Sequence, residues 1–218
     1  MHYSPKNKYL WDFWMISSEK HYHLFYLQAD RNLPSPDDRH EVASIGHAIS
    51  PDLYQWREMG TVLEKGPDGE WDDTSLWTGS IIKKNDLFYM FYTSRFSREK
   101  RKVQRIGLAI SEDLHHWEKY KGNPIITANP QWYETSQISE DGLEHWRDPY
   151  VIYHPKKEFI MLLSVPKRMM EKPKQEVVSL GLNQKIFYDG KSSARQPNPA
   201  ILCKWRSLMF IFMIMIVI

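Results

Sequence analysis

Two aspartates and a threonine stand at matched positions in this chain. Asp12 lies ten residues before an aromatic-rich run that begins at Tyr22, Thr78 ten before the run at Phe88, and Asp148 eleven before the run at Phe159. If the three segments open equivalent structural units, their side chains face one shared cavity. Carboxylates brought to one cavity can cleave a glycosidic bond: one attacks as nucleophile or base, and its neighbours stabilise an oxocarbenium-like transition state. Trp11, Trp14 and Trp77 lie beside them and offer flat apolar faces for sugar rings. A tryptophan at a strand end also serves as core packing, and Asp12 as a turn or cap residue.

The units that position these residues are written twice in the sequence. Ile45-Gly46-His47-Ala48-Ile49-Ser50-Pro51-Asp52-Leu53-Tyr54-Gln55-Trp56 returns as Ile106-Gly107-Leu108-Ala109-Ile110-Ser111-Glu112-Asp113-Leu114-His115-His116-Trp117, with eight of twelve positions identical and an offset of 61 residues. A fixed period marks one structural unit used repeatedly. Each copy follows an apolar run, Tyr22 to Leu27 and then Phe88 to Thr93, and a third run, Phe159 to Ser164, has no clear copy after it. Short aromatic-rich runs bounded by turn residues such as Lys83-Lys84-Asn85-Asp86 predict strands. The signature then supplies a short apolar strand, a turn begun by Ser and Asp, and a strand carrying Trp56 or Trp117. Ser and Asp make such turns by bonding nearby backbone N–H groups. With the segment before the apolar run, each repeat has four strands, the pattern of a β-propeller blade. A β-sandwich with accidental similarity is the other reading. The fold class is therefore all-β, a propeller of which about two and a half to three blades are present, whereas propellers typically close with four to eight.

Composition narrows the partners. The net charge is +2 and 14% of the 218 residues are aromatic, so a core is available and nothing calls for nucleic acid. The one cysteine, Cys203, excludes an intramolecular disulfide framework. No signal peptide is visible at Met1-His2-Tyr3-Ser4-Pro5-Lys6, which leans toward a cytoplasmic location. After about Lys172 the strand-and-turn pattern dissolves, and Leu208 to Ile218 is an unbroken apolar run. It is shorter than the ~20 residues of a membrane span. We divide the chain at that point: residues 1–172 as a partial propeller and 173–218 as an atypical tail. The tail reads as non-native sequence, with a shortened membrane anchor or a real core element as alternatives. Trimming near Lys172 is expected to raise solubility, because an uncharged, proline-free apolar run is an aggregation hazard.

Several ordered motifs resemble one family. Trp146-Arg147-Asp148-Pro149 is similar to the Arg-Asp-Pro motif of glycoside hydrolase family 32, the invertases, levanases and fructosidases. Leu76-Trp77-Thr78-Gly79-Ser80 resembles its Trp-Ser-Gly-Ser segment, and Tyr22-His23-Leu24-Phe25-Tyr26 the strand after its first motif. The Ser-x-Asp-Leu-x-x-Trp ends of both repeats are typical of it. The resemblance covers roughly residues 9 to 165. It implies a five-bladed propeller and retaining hydrolysis of β-fructosides, with relatives in neighbouring families acting on arabinosides, xylosides and galactosides. Carried over, Asp12 matches the nucleophile and Asp148 the carboxylate that stabilises the transition state. Arg147 would hold a sugar hydroxyl or orient Asp148, a fixed-charge fork suited to carboxylates. Trp11, Trp14, Gln28, Trp77, Thr78 and Ser80 complete the implied substrate-binding set, Gln28 being a displaced version of the glutamine that follows the family's Phe-Tyr pair. The first motif keeps little beyond the carboxylate and aromatics in Leu10-Trp11-Asp12-Phe13-Trp14-Met15. The family's acid/base glutamate sits in a Glu-Cys motif, and here Cys203 follows Leu202, so that motif is absent. Nothing promotes Glu134 or Glu144 to its role.

Other constellations are weaker. His21-x-His23 sets two of the nine histidines on one face of a strand, but metal sites need three or four converging ligands. Neither a metal nor another cofactor is expected. Asp38-Arg39-His40 reads as a solvated polar loop, with the channel mouth as its alternative location. The basic stretch from Arg95 to Arg105 reads as an exposed loop. The expected partner is a small sugar or an oligosaccharide, with no nucleic acid and no membrane. Three functional classes follow: a sugar hydrolase, incomplete and weakly active or inactive as this chain; a non-catalytic carbohydrate-binding propeller; and a protein-interaction propeller, disfavoured by the long period and the paired carboxylates.

Overall fold

The computed structural model describes residues 3–131, 133–154 and 158–164, together with the strand backbones at 177–180, 184–187 and 211–216. Strands β1 (Lys8–Ser17), β2 (Tyr22–Asp30), β3 (Ser44–Ser50) and β4 (Arg57–Leu63) form one antiparallel sheet in chain order. A second sheet repeats the plan with β5 (Leu76–Lys84), β6 (Leu87–Arg95), β7 (Gln104–Ser111) and the two-residue β8 (Glu118–Lys119). A third begins with β9 (Arg147–His154) and β10 (Glu158–Ser164). The first strands are neighbours, β1 packing beside β5 and β5 beside β9. This is the blade arrangement of a β-propeller, with the first strand of each blade innermost.

The repeated sequence owes its form to two close contacts. Tyr26 pairs with Gly46 across β2 and β3, and Tyr92 with Gly107 across β6 and β7. A Cβ on Gly46 would lie 2.5 Å from the Tyr26 ring, and one on Gly107 2.6 Å from the Tyr92 ring. Each glycine therefore leaves room for a tyrosine laid across the strand. The Ser-Asp turns form as expected. Asp52 Oδ1 accepts from the backbone N–H groups of Tyr54 and Gln55 at 2.9 and 2.8 Å, and Asp113 Oδ1 from those of His115 and His116 at 2.7 and 2.8 Å. Trp56 and Trp117 differ from expectation by one position. Each sits in the turn just before its strand, its indole N–H closing the turn onto the carbonyl of Leu53 or Leu114.

The core lies between blades. Phe25, Leu27, Ile45 and Leu63 of the first blade pack on Leu76, Phe88, Met90 and Tyr92 of the second. Phe91, Ile106 and Leu108 of the second pack on Val151, Phe159, Met161 and Leu163 of the third. Trp14 belongs to the first of these layers at 8% exposure. Residues 173–218 lie mostly outside the described residues. Three strand backbones are described there: β11 (Val177–Leu180), β12 (Gln184–Phe187) and β13 (Ile211–Ile216) extend the third sheet in the order β9-β10-β13-β12-β11. β13 pairs along β10 from Met161↔Ile214 to Ser164↔Ile211. Cutting the chain at Lys172 thus removes an apolar run and also bares the β10 edge, itself a site for unwanted pairing.

Candidate active site

Each of the three first strands carries an irregularity at the same place. On β1 the register slips between Trp11↔Leu27 and Phe13↔Tyr26, which leaves Asp12 as an extra residue. On β5 it slips between Trp77↔Thr93 and Gly79↔Tyr92, which leaves Thr78. On β9 Asp148 and Pro149 occupy the interval between Arg147↔Ser164 and Tyr150↔Leu162, two residues facing Leu163 alone. A bulge bends the strand and re-aims the extra side chain. Used three times, it turns one residue per blade out of the sheet toward its neighbours.

The bulged residues meet. Thr78 Oγ1 donates to Asp12 Oδ2 at 2.5 Å, and the Thr78 hydroxyl also lies within hydrogen-bond reach of the Asp148 carboxyl. Burial and the neighbouring Asp12 charge raise the Asp148 pKa above the usual carboxylate value, while Arg147 and Thr78 oppose the rise. Arg147 Nε stands 3.8 Å from Asp148 Oδ2, and its Nη1 donates to Gln104 Oε1 at 3.4 Å. Asp148 adopts a left-handed backbone with φ 58°, a conformation that costs a non-glycine residue energy and needs support. Buried Thr93 supplies it, its Oγ1 accepting from the Asp148 backbone N–H at 3.0 Å and donating to the Thr78 carbonyl at 3.2 Å. One hydroxyl therefore couples the bulge of the second blade to that of the third.

Gly79 follows the Thr78 bulge, and a Cβ there would lie 2.2 Å from the backbone carbonyl oxygen of Phe91. Backbone cannot step aside as a side chain can. Gly79→Ala is expected to force β5 from β6 and lower stability by about 1–3 kcal/mol, the range for overpacked sites. An unchanged urea midpoint would show that the strands separate at no cost.

Not every candidate reaches the site. Trp14 is buried between blades and cannot stack on a sugar. Gln28 is 1% exposed and its amide donates to Thr61 Oγ1 at 2.6 Å beneath Gly46, so it is an interior strut of the first blade. Ser80 is buried as well, its Oγ accepting from the Val151 backbone N–H at 3.2 Å and joining two blades. All three were expected to bind substrate, and alternation explains the misplacement: bulge-free strand residues point into the blade packing whenever their neighbours point out. Trp11 and Trp77 remain half-buried beside Asp12 and Thr78.

The structure brings to the site residues that the sequence places in polar loops. The 3₁₀ turn Pro36–Glu41, capped by Ser35 and Asp38, brings Arg39 over the Trp11 ring and His40 against Trp11 and Trp77. The His40 carbonyl accepts from Trp77 Nε1 at 2.9 Å and from Arg95 Nη2 at 3.0 Å. Arg95, counted in sequence with an exposed basic loop, is 7% exposed, stacks 4.1 Å over Trp77 and pairs with Glu41 at 3.2 Å. The His21-x-His23 pair is equally informative. His23 Nδ1 and His47 Nε2 share a hydrogen bond at 3.0 Å, and among the described residues no three His, Cys, Asp or Glu side chains are arranged to hold a metal. Burial raises the Glu144 pKa, Arg105 opposing the rise and Glu99 adding to it.

Comparison with known proteins agrees with the geometry. The bifunctional 6(G)-fructosyltransferase/2,1-fructan:2,1-fructan 1-fructosyltransferase of Allium cepa is 33% identical over 150 residues, 57% of this chain and 23% of that protein. Sucrose-6-phosphate hydrolase of Bacillus subtilis (strain 168) is 28% identical over 116 residues, 53% of this chain and 21% of that protein. Fructofuranosidase from Schwanniomyces occidentalis, complexed with fructose, superposes with a TM-score of 0.61 at 20% identity, over 86% of this chain and 35% of that one. Fructan 1-exohydrolase IIa from Cichorium intybus gives 0.53 at 22%, over 86% and 31%. At these identities the structural likeness speaks to fold. The chain spans less than a quarter of the length of these two curated relatives. The model of the glycosyl hydrolases family 32 N-terminal domain matches residues 2–177, so three bulged first strands around Thr78 sit in a chain that belongs to glycosyl hydrolase family 32.

Proposed function

We propose that this chain forms part of a glycoside hydrolase acting on O-glycosyl bonds of β-fructosides or related sugars, with Asp12 as nucleophile and Asp148 as transition-state stabiliser. The observation that carries the reading is the meeting of Asp12 and Asp148 at one threonine hydroxyl, from the bulges of different blades. Asp12 attacks the anomeric carbon as the bond to the leaving oxygen breaks, and water later cleaves the resulting ester. Ionised Asp148, steadied by Arg147, accepts hydrogen bonds from sugar hydroxyls that tighten as positive charge develops on the ring. Trp11 and Trp77 supply the ring's apolar walls. The small-sugar class of ligand is supported by the fructose bound in the Schwanniomyces occidentalis enzyme.

The leaving oxygen also needs a proton, and a positioned general acid contributes roughly 10²–10⁴-fold. Among the described residues no third carboxylate joins Asp12 and Asp148. We therefore propose a weakly active form of the site, with a non-catalytic sugar-binding propeller as the second reading. Sucrose and a panel of nitrophenyl glycosides separate them. Nitrophenolate leaves without a proton, so the first reading expects nitrophenyl hydrolysis, sucrose cleavage poor or nil, and both abolished in Asp12→Ala. Sugar binding without any hydrolysis selects the second. Robust sucrose cleavage would mean that an acid has been overlooked.

A further inference from the structure

We propose that His40 is a substrate-binding residue of the Asp12 site, its imidazole reading a hydroxyl of the sugar held between Trp11 and Trp77. The inference rests on the functional reading above and deepens it. Its basis is a division of labour within one residue. The main chain of His40 does the docking: its carbonyl takes the Trp77 indole N–H and an Arg95 guanidinium N–H, contacts bridging 37 and 55 residues of sequence. Arg95 is fixed in turn by Ser75 Oγ at 3.1 Å and by Glu41. The side chain is left out of this clamp. Its ring meets Trp11 edge-on at 5.6 Å and Trp77 at 6.4 Å, and its nitrogens make no hydrogen bond to any described residue.

A half-buried imidazole with unused nitrogens, held rigidly beside a carboxylate and two indoles, is built to meet a polar ligand. Burial and the Arg39 charge lower the His40 pKa, Arg95 adds to this, and Asp37 and Asp12 oppose it. The ring is therefore neutral near pH 7, with one nitrogen donating and the other accepting. That suits a sugar hydroxyl, which does both. An imidazolium could only donate.

The test is sugar affinity of the full chain, followed by tryptophan fluorescence with fructose, sucrose and methyl β-xyloside, for wild type, His40→Ala, His40→Gln and Asp12→Ala. The docking clamp uses only the His40 carbonyl, so both His40 variants keep it, and unchanged melting temperatures check this. His40→Ala is expected to weaken binding about tenfold, the value of one ligand hydrogen bond. His40→Gln, which retains a donor and an acceptor, should recover most of it. Wild-type affinity should fall more steeply on acidification than that of His40→Gln, which keeps only the loss due to Asp148, a difference that a purely structural histidine cannot produce. Binding unaltered in His40→Ala, with nitrophenyl glycoside hydrolysis still lost in Asp12→Ala, overturns the role of His40 alone. If none of the sugars binds and Asp12→Ala changes no activity, the site itself is misassigned and this inference goes with it.

Discussion

Asp12→Ala is expected to cut hydrolysis of any nitrophenyl glycoside that the chain cleaves by about 10³-fold, some 4 kcal/mol at 1.36 kcal/mol per decade. The size follows from the proposed role: loss of a nucleophile would leave no covalent intermediate, and water would have to attack directly. The protein should otherwise be untouched. Asp12 is exposed at a bulge and, among the described residues, its side chain accepts only the Thr78 hydroxyl, so removing it should move stability by no more than about 0.5 kcal/mol. A nucleophile and a mere binding carboxylate differ in one further respect. Alanine leaves a gap the size of a small anion next to the anomeric carbon, so azide should restore part of the rate and appear in a glycosyl azide product. Lost activity with no azide product would make Asp12 a binding group. Asp148 adds a pH signature. In its proposed role it must be ionised to stabilise positive charge, and its pKa is raised, so activity should fall on acidification at a pH above the usual carboxylate range.

The second large effect is acid lability, and it has no connection with the site. His23 and His47 are 3% and 0% exposed and hydrogen-bonded to each other, and the His47 ring is stacked 4.5 Å from Phe25. Their shared bond needs one nitrogen with a proton and one without, so they cannot both be charged and keep it. His23 is braced by Ser18 Oγ at 3.1 Å, but among the described residues His47 Nδ1 has no partner for the proton it would gain. Burial, with the neighbouring histidines, lowers the pKa of His23 to about 4 and of His47 to about 3. The sign follows from linkage. The unfolded chain takes up these protons as pH falls through about 6.5, while the folded chain resists until below about 4. Stability is thus whole above about pH 6.5. It drops by up to about 1.4 kcal/mol per pH unit for each histidine as the pH descends to their folded values. Urea midpoints between pH 7.5 and 5 should fall steeply for wild type and much less for the double variant His23→Gln/His47→Phe. A flat midpoint over that range would falsify the buried neutral pair.

Part of this protein is legible in its residues alone. The repeat of Ile45 to Trp56 at Ile106 to Trp117 determines the blades, because glycine opposite tyrosine and a Ser-Asp turn have few structural solutions. The apolar runs that begin at Tyr22, Phe88 and Phe159 set the phase that makes Asp12, Thr78 and Asp148 equivalent. What the tertiary structure decided is the direction of individual side chains. A strand sends alternate residues to opposite faces, and one extra residue reverses that assignment. No residue type announces the bulges at Asp12 and Thr78, which exist because neighbouring strands pair on either side of them. For the same reason Trp14, Gln28 and Ser80, chemically fit for sugar binding, were drawn into blade packing. His40 came the other way. Its loop is polar by sequence, and only the docking of its carbonyl by Trp77 and Arg95, distant in the chain, carries its imidazole to Asp12. Local pattern fixes elements, because backbone hydrogen bonding and turn chemistry act over a few residues. The site is fixed by contacts spanning tens of residues, on which local pattern carries no information.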